Sequence, residues 1–248
     1  MTCHAADEAV EHAARLTAPG RAVPPGGYRA YFAPAALRGF VQILAWDGFS
    51  VKAHRTRTSP LMHLGDGTRR LSPHLTIRNN TADGLAPDFS EEGFVKRPCV
   101  NLVEHGAFGE ALVSPRSAAE YGLETTGGGE WPEALDVEGG TLPAADALAA
   151  LGTGLWIGDV WYLNYSDRTA GRITGMTRFG SFWVEDGRLA APLNVMRFDD
   201  SVYRVLGANL LALTAERAFL PDEHTYFSRS TACTRVPGAL VDDLRVAL

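Results

Sequence analysis

Alternating apolar and polar positions run through the middle of the sequence and predict a sheet built from hairpins. YRAYF at residues 28–32 and VWYLNYSD at residues 160–167 alternate in this way and contain the aromatic and β-branched residues that strands favour. Residues 101–113 form one predicted strand–turn–strand unit, and residues 155–193 a three-stranded meander. Three dipeptides suited to hairpin turns lie between the predicted strands: Asp47-Gly48, His105-Gly106 and Asp186-Gly187.

Apolar residues at helical spacing, together with helix start and stop signals, predict four helices between these strands. They cover residues 34–43, 114–123, 142–152 and 199–214. Ser114 is placed to cap the second helix, and prolines occupy the first position of the first two. The fourth has the strongest periodicity, because four large aliphatic residues return on one helical face: Val202, Leu206, Leu210 and Leu213.

The two ends of the sequence differ in character. Residues 5–16 are alanine-rich and helical in pattern, and the proline- and glycine-rich residues 17–27 break any helix and indicate a linker. We therefore divide the chain into an N-terminal helix and linker, 1–27, and a folded domain, 28–248. ALVDDLRVAL at the other end predicts a final strand with one shared face: Leu240, Asp242, Leu244 and Val246. The predicted fold class is α+β, a predominantly antiparallel sheet, open or barrel-like, with inserted helices.

Composition narrows the class of protein. Hydrophobic residues make up 46% of the 248 residues and charged residues 21%, which is enough apolar material for a folded core. The formal net charge is -6 without a run of basic residues, so the sequence offers no surface for nucleic acid. No apolar stretch reaches the roughly 20 residues that a membrane-spanning helix needs, and we expect no membrane association.

Cysteine usage indicates the compartment. The three cysteines, Cys3, Cys99 and Cys233, are odd in number, far apart in sequence and outside any CxxC motif. A disulfide framework is therefore not expected, and a reducing compartment fits this usage. We expect a cytoplasmic protein.

The common catalytic and nucleotide-binding motifs are absent from the sequence. GxGxxG, GxxxxGK[ST] and GxSxG do not occur, and neither HExxH nor HExxxH supplies the two histidines and glutamate of a helical zinc site. Three residues remain as candidates for chemistry. Cys233 is a thiol that could ligate a metal, His224 could reach a nucleophile in space, and His105 stands in a predicted turn. A core-facing thiol and water-exposed histidines are the simpler interpretations.

The aromatic strands of the predicted meander carry polar residues on their second face. The four that we single out as candidates for peptide binding are Asn164, Arg172, Thr174 and Arg178. Amides, hydroxyls and guanidinium groups on one face of a sheet fit a groove wall that binds an extended peptide by strand addition. A sheet face in water would carry the same residue types, and the sequence leaves both interpretations open.

Four segments of the sequence, in order, resemble those of one known family. SPHLTIRNNTADGLAPDFSEEGF at residues 72–94 and VNLVEHGAFGEALVSPRSAAEYGLETTGG at residues 100–128 are the first two, and VPGALVDDLRV near the end is the last. The long segment at residues 154–198, with its LNYSD, RITGMTR and WVEDG runs, is the most specific. This order and spacing over residues 28–246 is similar to the C-terminal domain of the TldD/PmbA family, also described as TldD/TldE.

The resemblance implies a cytosolic zinc peptidase built from two kinds of subunit. A TldD-like subunit carries HExxxH and a cysteine ligand, whereas a TldE/PmbA-like subunit lacks the metal site and helps to enclose the cavity that admits unfolded or modified peptides. This sequence lacks HExxxH, and the family's N-terminal α/β domain is largely missing from it. We therefore expect a TldE/PmbA-like subunit without catalytic residues, metal or cofactor of its own, paired with a zinc-bearing TldD-like partner in a heterodimer or higher oligomer.

Two other functions stay open at this point. The chain could be a divergent peptidase or natural-product tailoring enzyme with a site of its own around Cys233, His224 or His105. It could also be a non-enzymatic homo-oligomer that binds a peptide or protein. Substitution of Cys233 and His224 tests the first alternative, and recovery of a TldD-like partner from the native host tests the second.

Overall fold

The sheet of this protein is organised around its longest strand. The computed structural model describes residues 13–226 and 228–247, and the strands found there form one mixed sheet of thirteen strands. In chain order the strands are β1 Gly26–Phe32, β2 Ile77–Asn80, β3 Cys99–Glu104, β4 Ala107–Phe108, β5 Ala134–Val137, β6 Gly154–Ile157, β7 Asp159–Asp167, β8 Arg172–Arg178, β9 Phe182–Glu185, β10 Arg188–Pro192, β11 Arg197–Ser201, β12 Leu210–Pro221 and β13 Cys233–Val246.

Helices are few and short apart from the first. Among the described residues beyond β1, the α-helices are α1 Pro34–Gly48, α2 Val51–Arg55, α3 Met62–Gly65, α4 Pro115–Tyr121 and α5 Ala147–Leu151. A 3-10 turn at Ala144–Asp146 precedes α5, and a π-helical turn at Arg204–Ala208 separates β11 from β12. None of the helices in the described ranges is both long and apolar enough to cross a membrane.

Strand β13 lies at the centre of the sheet and pairs with four other strands. It runs antiparallel to β1, β11 and β12 and parallel to β5. The main order of the sheet is β10-β9-β6-β1-β13-β5-β2-β3-β4, while β12 and the series β11-β8-β7 branch from β13. Antiparallel pairs therefore dominate, as the sequence predicts, and among the described strands only β1–β6 and β5–β13 are parallel. The order ends at β10 and β4 without joining them, so the barrel-like alternative is wrong.

Helix α1 packs an apolar face against this sheet and fills the main core. Phe40 lies near Phe32 of β1 and Phe198 of β11, with ring centroids 4.7 and 5.8 Å away. Each of these three buried rings stabilises the fold by about 1.5–3 kcal/mol through its removal from water. The residues of α1 that are fully buried against the sheet are Ala36, Leu37, Phe40, Val41, Leu44 and Ala45.

Local signals in the sequence locate helix α4 well. The hydroxyl of Ser114 accepts a backbone N–H three residues further on and so caps the helix, and Pro115 occupies its first turn. Gly122 ends the helix with a φ of 65°, a left-handed conformation that is open to glycine. The helices predicted at residues 34–43 and 142–152 are also present, the first as α1 and the second as the 3-10 turn followed by α5.

The helix predicted at residues 199–214 is wrong. The chain there forms the end of β11, the π-helical turn and the start of β12. The pairing of β12 with β13 shifts its register between Leu210 and Ala212. This β-bulge lets Leu210 and Leu213 face the same core three residues apart, with exposures of only 4% and 1%. A bulged strand thus reproduces the spacing of buried residues that a helix would show.

The final strand begins earlier than predicted and contains a bulge of its own. Leu244 and Val246 face the main core as expected, but the pairing with β1 shifts its register between Val241 and Leu244. Leu240 consequently packs in a second apolar cluster on the other face of the sheet, and Asp242 is exposed. Of the four residues predicted to share one face, only Leu244 and Val246 therefore do so.

Two of the three predicted hairpin turns are present. His105-Gly106 joins β3 to β4, and Asp186-Gly187 joins β9 to β10. Asp47-Gly48 instead ends helix α1, because Asp47 adopts a φ of 60° that suits a helix end as well as a hairpin. The meander predicted at residues 155–193 is two separate hairpins, since β8 pairs with β7 and β11 whereas β9 pairs with β6 and β10.

The segment before the sheet is described only in part. The helix predicted at residues 5–16 falls mostly on residues 1–12, which lie outside the described residues. Residues 13–15 are helical. Strand β1 begins at Gly26, so the last residues of the predicted linker pair with β13 and belong to the sheet.

Candidate functional site

A cavity of about 690 Å³ opens beside helix α1. Its walls are the helix, the start of β7, residues 131–135, and residues 222–224 and 232–234 from the connection between β12 and β13. Two candidate residues for chemistry, His224 and Cys233, both line this cavity. A neighbouring cavity of about 580 Å³ shares Cys233 but is lined mainly by small and apolar loop residues, so we take the larger cavity as the candidate site.

Helix α1 presents a stripe of residues to the cavity. Arg38 and Gln42 stand one turn apart in this stripe, at the i, i+4 spacing of the two histidines in a helical zinc site. Neither side chain has a hydrogen-bond or ion-pair partner within residues 13–226 and 228–247. The full stripe, with its spacing of three and four, is Ala35, Arg38, Gly39, Gln42, Ile43 and Trp46.

A glycine in helix α1 brings β7 close to the helix. A Cβ at Gly39 would lie 2.5 Å from Cγ2 of Val160, which is too short for any real side-chain contact. The hydroxyl of Tyr165 donates to the carbonyl of Ile43 at 2.9 Å and makes a second contact further along the helix. Burial raises the pKa of Tyr165, so the phenol stays a neutral donor. The wall formed by β7 is thus fixed to α1 at two points.

Five aromatic residues surround the cavity and remain partly open to water. Trp46, Trp131 and Trp161 are 40%, 48% and 44% exposed, and Tyr162 and Phe179 are 74% and 67% exposed. Tyr162 and Phe179 also have positive φ angles, 49° and 24°, which are sterically unfavourable for large side chains. Strained residues persist only where the surrounding structure imposes them, and they concentrate at functional sites. The two strained rings at its mouth therefore support the choice of this cavity as the candidate site.

The side chains of His224 and Cys233 are not arranged as a nucleophile and its base. Nδ1 of His224 lies 2.7 Å from Oδ1 of Asp222, and the histidine side chain is 84% exposed. Partial burial, with a contribution from the charge of Asp222, raises the pKa of the Cys233 thiol. Its Sγ atom donates to the carbonyl of Thr231 at 3.9 Å. A thiol that stays protonated is a poor nucleophile and a poor metal ligand.

Carboxylates outnumber cations on the wall of the cavity. The acidic residues are Glu133, Asp159, Asp222 and Glu223. Lys96 neutralises Glu133, because its Nζ lies 2.6 Å from Oε2 of that residue. Asp159 and Glu223 have no ion-pair partner among the residues that the structure describes. Opposite them, Arg38 is the single cation of the lining. The wall therefore carries a net negative charge at neutral pH.

Three of the four candidates for peptide binding lie on the outer face of the β7–β8 hairpin, away from the cavity. Asn164 and Thr174 are cross-strand neighbours, and Arg172 follows on the same face of β8. Nε of Arg197 in β11 donates to the hydroxyl of Thr174 at 3.3 Å. Because β8 is paired on both edges, a peptide cannot add to it as a strand. Strand β7 pairs only with β8 among the described strands, so its other edge is open to such addition.

The fourth candidate, Arg178, reaches the mouth of the cavity. Its guanidinium carbon lies 4.3 Å from the ring centroid of Trp161 and 4.7 Å from that of Phe179. Tyr162 packs edge-on against Trp161 at 5.6 Å. The structure therefore separates Arg178 from the other three candidates and places it with the aromatic rim.

The described residues form no cluster of metal-ligating side chains. Within residues 13–226 and 228–247, no group of three or more His, Cys, Asp or Glu side chains is placed to hold one. In the candidate cavity partial burial raises the pKa of the Cys233 thiol, which makes it a weaker metal ligand. His105 lies in the exposed turn between β3 and β4 and lines neither cavity.

The sheet and the walls of the cavity fall inside one family match. The sequence profile of the PmbA/TldA metallopeptidase C-terminal domain covers residues 25–248. This chain belongs to the PmbA/TldD family. No curated protein matches the sequence. The match begins one residue before β1 and extends past β13, so every wall of the cavity belongs to the PmbA/TldD domain.

Three solved structures show the same fold. TldE from Thermococcus kodakarensis has a TM-score of 0.81 at 18% identity, and the alignment covers 98% of this chain and 55% of that protein. Putative modulators of DNA gyrase from Thermotoga maritima and Bacteroides thetaiotaomicron have TM-scores of 0.76 and 0.73 at 20% and 18% identity. These alignments cover 96% and 97% of this chain and 54% and 51% of the two proteins. This PmbA/TldD-family chain therefore spans about half the length of the solved structures that it matches.

The cavity of this PmbA/TldD-family chain unites residues that lie far apart in sequence. Sequence reasoning selected His224, Cys233 and Arg178 but assigned them to separate features, and it missed Arg38 and Trp131. A signal for Arg38 was available, because it is the one charged residue of the predicted helix at residues 34–43, and Gln42 follows it one turn later. No comparable signal marks Trp131, which reaches the cavity only through the position of the chain before β5.

Proposed function

We propose that this chain is a TldE-like, non-catalytic subunit of a heteromeric PmbA/TldD-family metallopeptidase. It supplies one wall of the chamber that binds unfolded or modified peptides, and a TldD-like partner with HExxxH supplies the zinc. The observation that carries this proposal is the stripe that α1 turns to the cavity, which presents Arg38 and Gln42 one turn apart and no His, Cys, Asp or Glu side chain. Arg and Gln side chains are not zinc ligands, so these two positions suit substrate contact and not metal binding. The fold shared with TldE from Thermococcus kodakarensis supports the same assignment.

The proposal includes a reducing, cytoplasmic environment. Cys99 and Cys233 are both free thiols in the fold. Burial raises the pKa of each, and a protonated thiol resists oxidation. Neither cysteine therefore depends on an oxidising compartment for its state.

Co-purification with metal analysis tests the partnership. We expect the chain to co-elute with a co-expressed TldD-like protein, with zinc and peptidase activity in the complex. The chain alone should hold no stoichiometric zinc and cleave no peptide. A partner whose HExxxH glutamate is replaced by glutamine is the control, because it should bind this chain and form an inactive complex. Tight zinc and peptidase activity in the lone chain contradict the proposal, and so does failure of the two proteins to associate.

A second function rests on the observation that His224 and Cys233 line the same cavity. On this alternative the chain is a divergent peptidase or tailoring enzyme with its own site. The variants Cys233→Ser and His224→Ala, assayed in the reconstituted complex, separate the two functions. We expect kcat/KM to be unchanged in both, since the thiol is protonated and the histidine is held by Asp222. A large loss in either variant, with partner binding and zinc content preserved, favours the second function.

A further inference from the structure

We propose that the cavity beside α1 is a binding site for basic side chains, Lys or Arg, of an extended peptide. Its volume of about 690 Å³ lies within the range of sites that enclose a ligand, and its lining combines aromatic rings with carboxylates. The inference deepens the proposed function and rests on it for one point, that the ligand is a peptide. It concerns which peptides the chain prefers, a property that a cavity wall decides without any catalytic group.

The aromatic rim has the chemistry that holds organic cations. A guanidinium or ammonium group is attracted to the face of an aromatic ring. The rim already shows such a contact, since the guanidinium of Arg178 lies over Trp161 and Phe179. Trp131 and Tyr162 have no cation over their rings among the described residues, although they are 48% and 74% exposed. Two ring surfaces thus remain open for the side chain of a ligand.

The charges of the wall favour the same ligand. With Glu133 neutralised by Lys96, the lining still holds three carboxylates, Asp159, Asp222 and Glu223, and one guanidinium, Arg38. Two of these carboxylates, Asp159 and Glu223, have no ion-pair partner in the described ranges. A cation from a ligand would give them one, whereas an anion would meet like charge from the carboxylates and attraction only from Arg38 in the lining and Arg178 at the mouth.

Backbone strain indicates that the positions of the rings matter. Tyr162 lies in a bulge of β7, and Phe179 begins the turn after β8, and both hold positive φ angles. Ser181 fixes this turn, because its hydroxyl donates to the carbonyl of Arg178 at 3.0 Å and accepts the N–H of Gly158 at 3.4 Å. Both rings are exposed, so the strain does not improve packing of the core. Its effect is to hold the rings at the mouth of the cavity.

Calorimetric titration of the lone chain with three capped peptides tests the proposal. Each is an unstructured hexapeptide, acetylated and amidated, that differs only at two positions: lysine, norleucine or glutamate. We expect the lysine peptide to bind roughly fivefold more tightly than the norleucine peptide at low salt, and the glutamate peptide most weakly. The preference for lysine should fall as salt is raised, because the carboxylates are open to water.

Charge variants of the cavity wall test whether the carboxylates and Arg38 change the affinity for the lysine peptide in opposite directions. Asp159→Asn and Glu223→Gln should each weaken the lysine peptide about two- to fivefold, and Arg38→Gln should tighten it by a similar factor. The norleucine peptide, which has no charge at these positions, should change less than the lysine peptide in all three variants. Asn at position 159 keeps the oxygen that accepts the N–H of Val160, so the fold is preserved there. Asp186→Asn, an exposed carboxylate in the turn between β9 and β10, is the matched control and should change nothing.

Two results overturn the proposal. One is equal affinity for the three peptides in the correctly folded chain, checked by circular dichroism. The other is the opposite preference: the glutamate peptide binds most tightly, Arg38→Gln weakens its binding, and Asp159→Asn strengthens its binding. The titration needs no TldD-like partner, so its failure leaves the proposed subunit role untouched, and a failed co-purification leaves the titration valid.

Discussion

The carboxylate of Glu130 connects the starts of two helices, α2 and α4. It accepts hydrogen bonds from the hydroxyl of Ser50 and the N–H of Lys52 at one helix, and from the hydroxyl of Ser114 at 2.9 Å at the other. The starts of both helices carry unpaired N–H groups and partial positive charge, so one carboxylate stabilises both. Burial disfavours the charge of Glu130, but hydrogen bonds from Ser117, Ser50 and their neighbours outweigh burial and lower its pKa.

Glu130→Gln tests this connection. Because the pKa of Glu130 is lower in the folded chain, its carboxylate adds stability that is fully present above the ordinary value of 4.5 and is lost as pH falls through the folded-state pKa. We expect the variant to lose about 1–3 kcal/mol of unfolding free energy at pH 7 and to lose less than the parent on acidification. Urea unfolding at pH 7 and at pH 4 measures both effects.

The control for this prediction is Glu124→Gln. Glu124 is exposed in the same connection and takes part in neither cap. Its replacement should stay within about 0.5 kcal/mol of the parent. Equal losses in the two variants would show that general charge, and not the double cap, explains the effect.

At the scale of elements, sequence patterns locate most strands and helices but not the irregularities within strands. Ser114, Pro115 and Gly122 mark the ends of α4 correctly, because capping depends on chemistry within a few residues. The helix predicted at residues 199–214 is wrong, because a β-bulge changes the spacing of buried residues there from two to three. A bulge is imposed by the partner strand, and that partner is about thirty residues away along the chain.

The turn after β8 depends on the absence of a side chain at the link between β6 and β7. A Cβ at Gly158 would lie 2.5 Å from the carbonyl oxygen of Phe179 and 2.6 Å from that of Gly180. Both are backbone atoms of the turn that carries the aromatic rim. An alanine there must therefore displace the turn and not merely rotate a side chain.

Gly158→Ala should consequently affect both stability and binding. We expect a loss of about 1–3 kcal/mol in unfolding free energy, together with weaker binding of the lysine peptide as Phe179 moves. Thermal unfolding and the same calorimetric titration measure the two effects. Gly129→Ala is the control, because a Cβ at that glycine meets nothing within 4 Å. If Gly158→Ala is destabilised but binds the lysine peptide as tightly as the parent, the position of this turn does not affect the site.

At the scale of the whole molecule, a buried ionic network joins strands that are distant in sequence. Asp136 of β5 is 2% exposed and accepts from Asn80 of β2, from Arg217 of β12 at 2.8 Å, and from Arg235 of β13 at 2.7 and 2.8 Å. Burial disfavours the charge of Asp136, but its hydrogen bonds, first that from Arg235, hold its pKa below the ordinary value. Asp136 thus pairs with two guanidinium groups between four strands, and Asp83 pairs with Arg235 as a second carboxylate.

Asp136→Asn should be strongly destabilising. Arg217 loses its one carboxylate partner among the described residues, while Arg235 keeps Asp83, and removing one partner of a buried ion pair costs about 3–5 kcal/mol. Glu138→Gln is the matched control, because Glu138 pairs with Arg78 at 2.9 Å on the surface nearby and such pairs contribute about 0–1 kcal/mol. Chemical denaturation of both variants at neutral pH measures the difference. Similar losses in the two would contradict the special role of the buried carboxylate.

Only some residues of the candidate site could be predicted from the sequence, because the site forms where elements distant in sequence pack together. His224, Cys233 and Arg178 are recognisable in the sequence as polar or reactive residues near predicted strands. Their meeting with Arg38 and Trp131 depends on the packing of α1 against β7 and on the placement of two loops. Local patterns carry no information about such contacts, which follow from the order of strands in the sheet.

The central position of β13 has a consequence for synthesis. A nascent chain that has emerged only as far as residue 232 holds β1, β5 and β12 but not the strand that lies between them. Gly26 of β1 pairs with Val246 of β13, so this pairing has to wait until β13 has emerged from the ribosome. Until then the strand edges at the centre of the sheet remain unpaired. The sheet is therefore expected to complete its pairing only once β13 has emerged, and the unpaired strand edges before that point are those that a chaperone would protect.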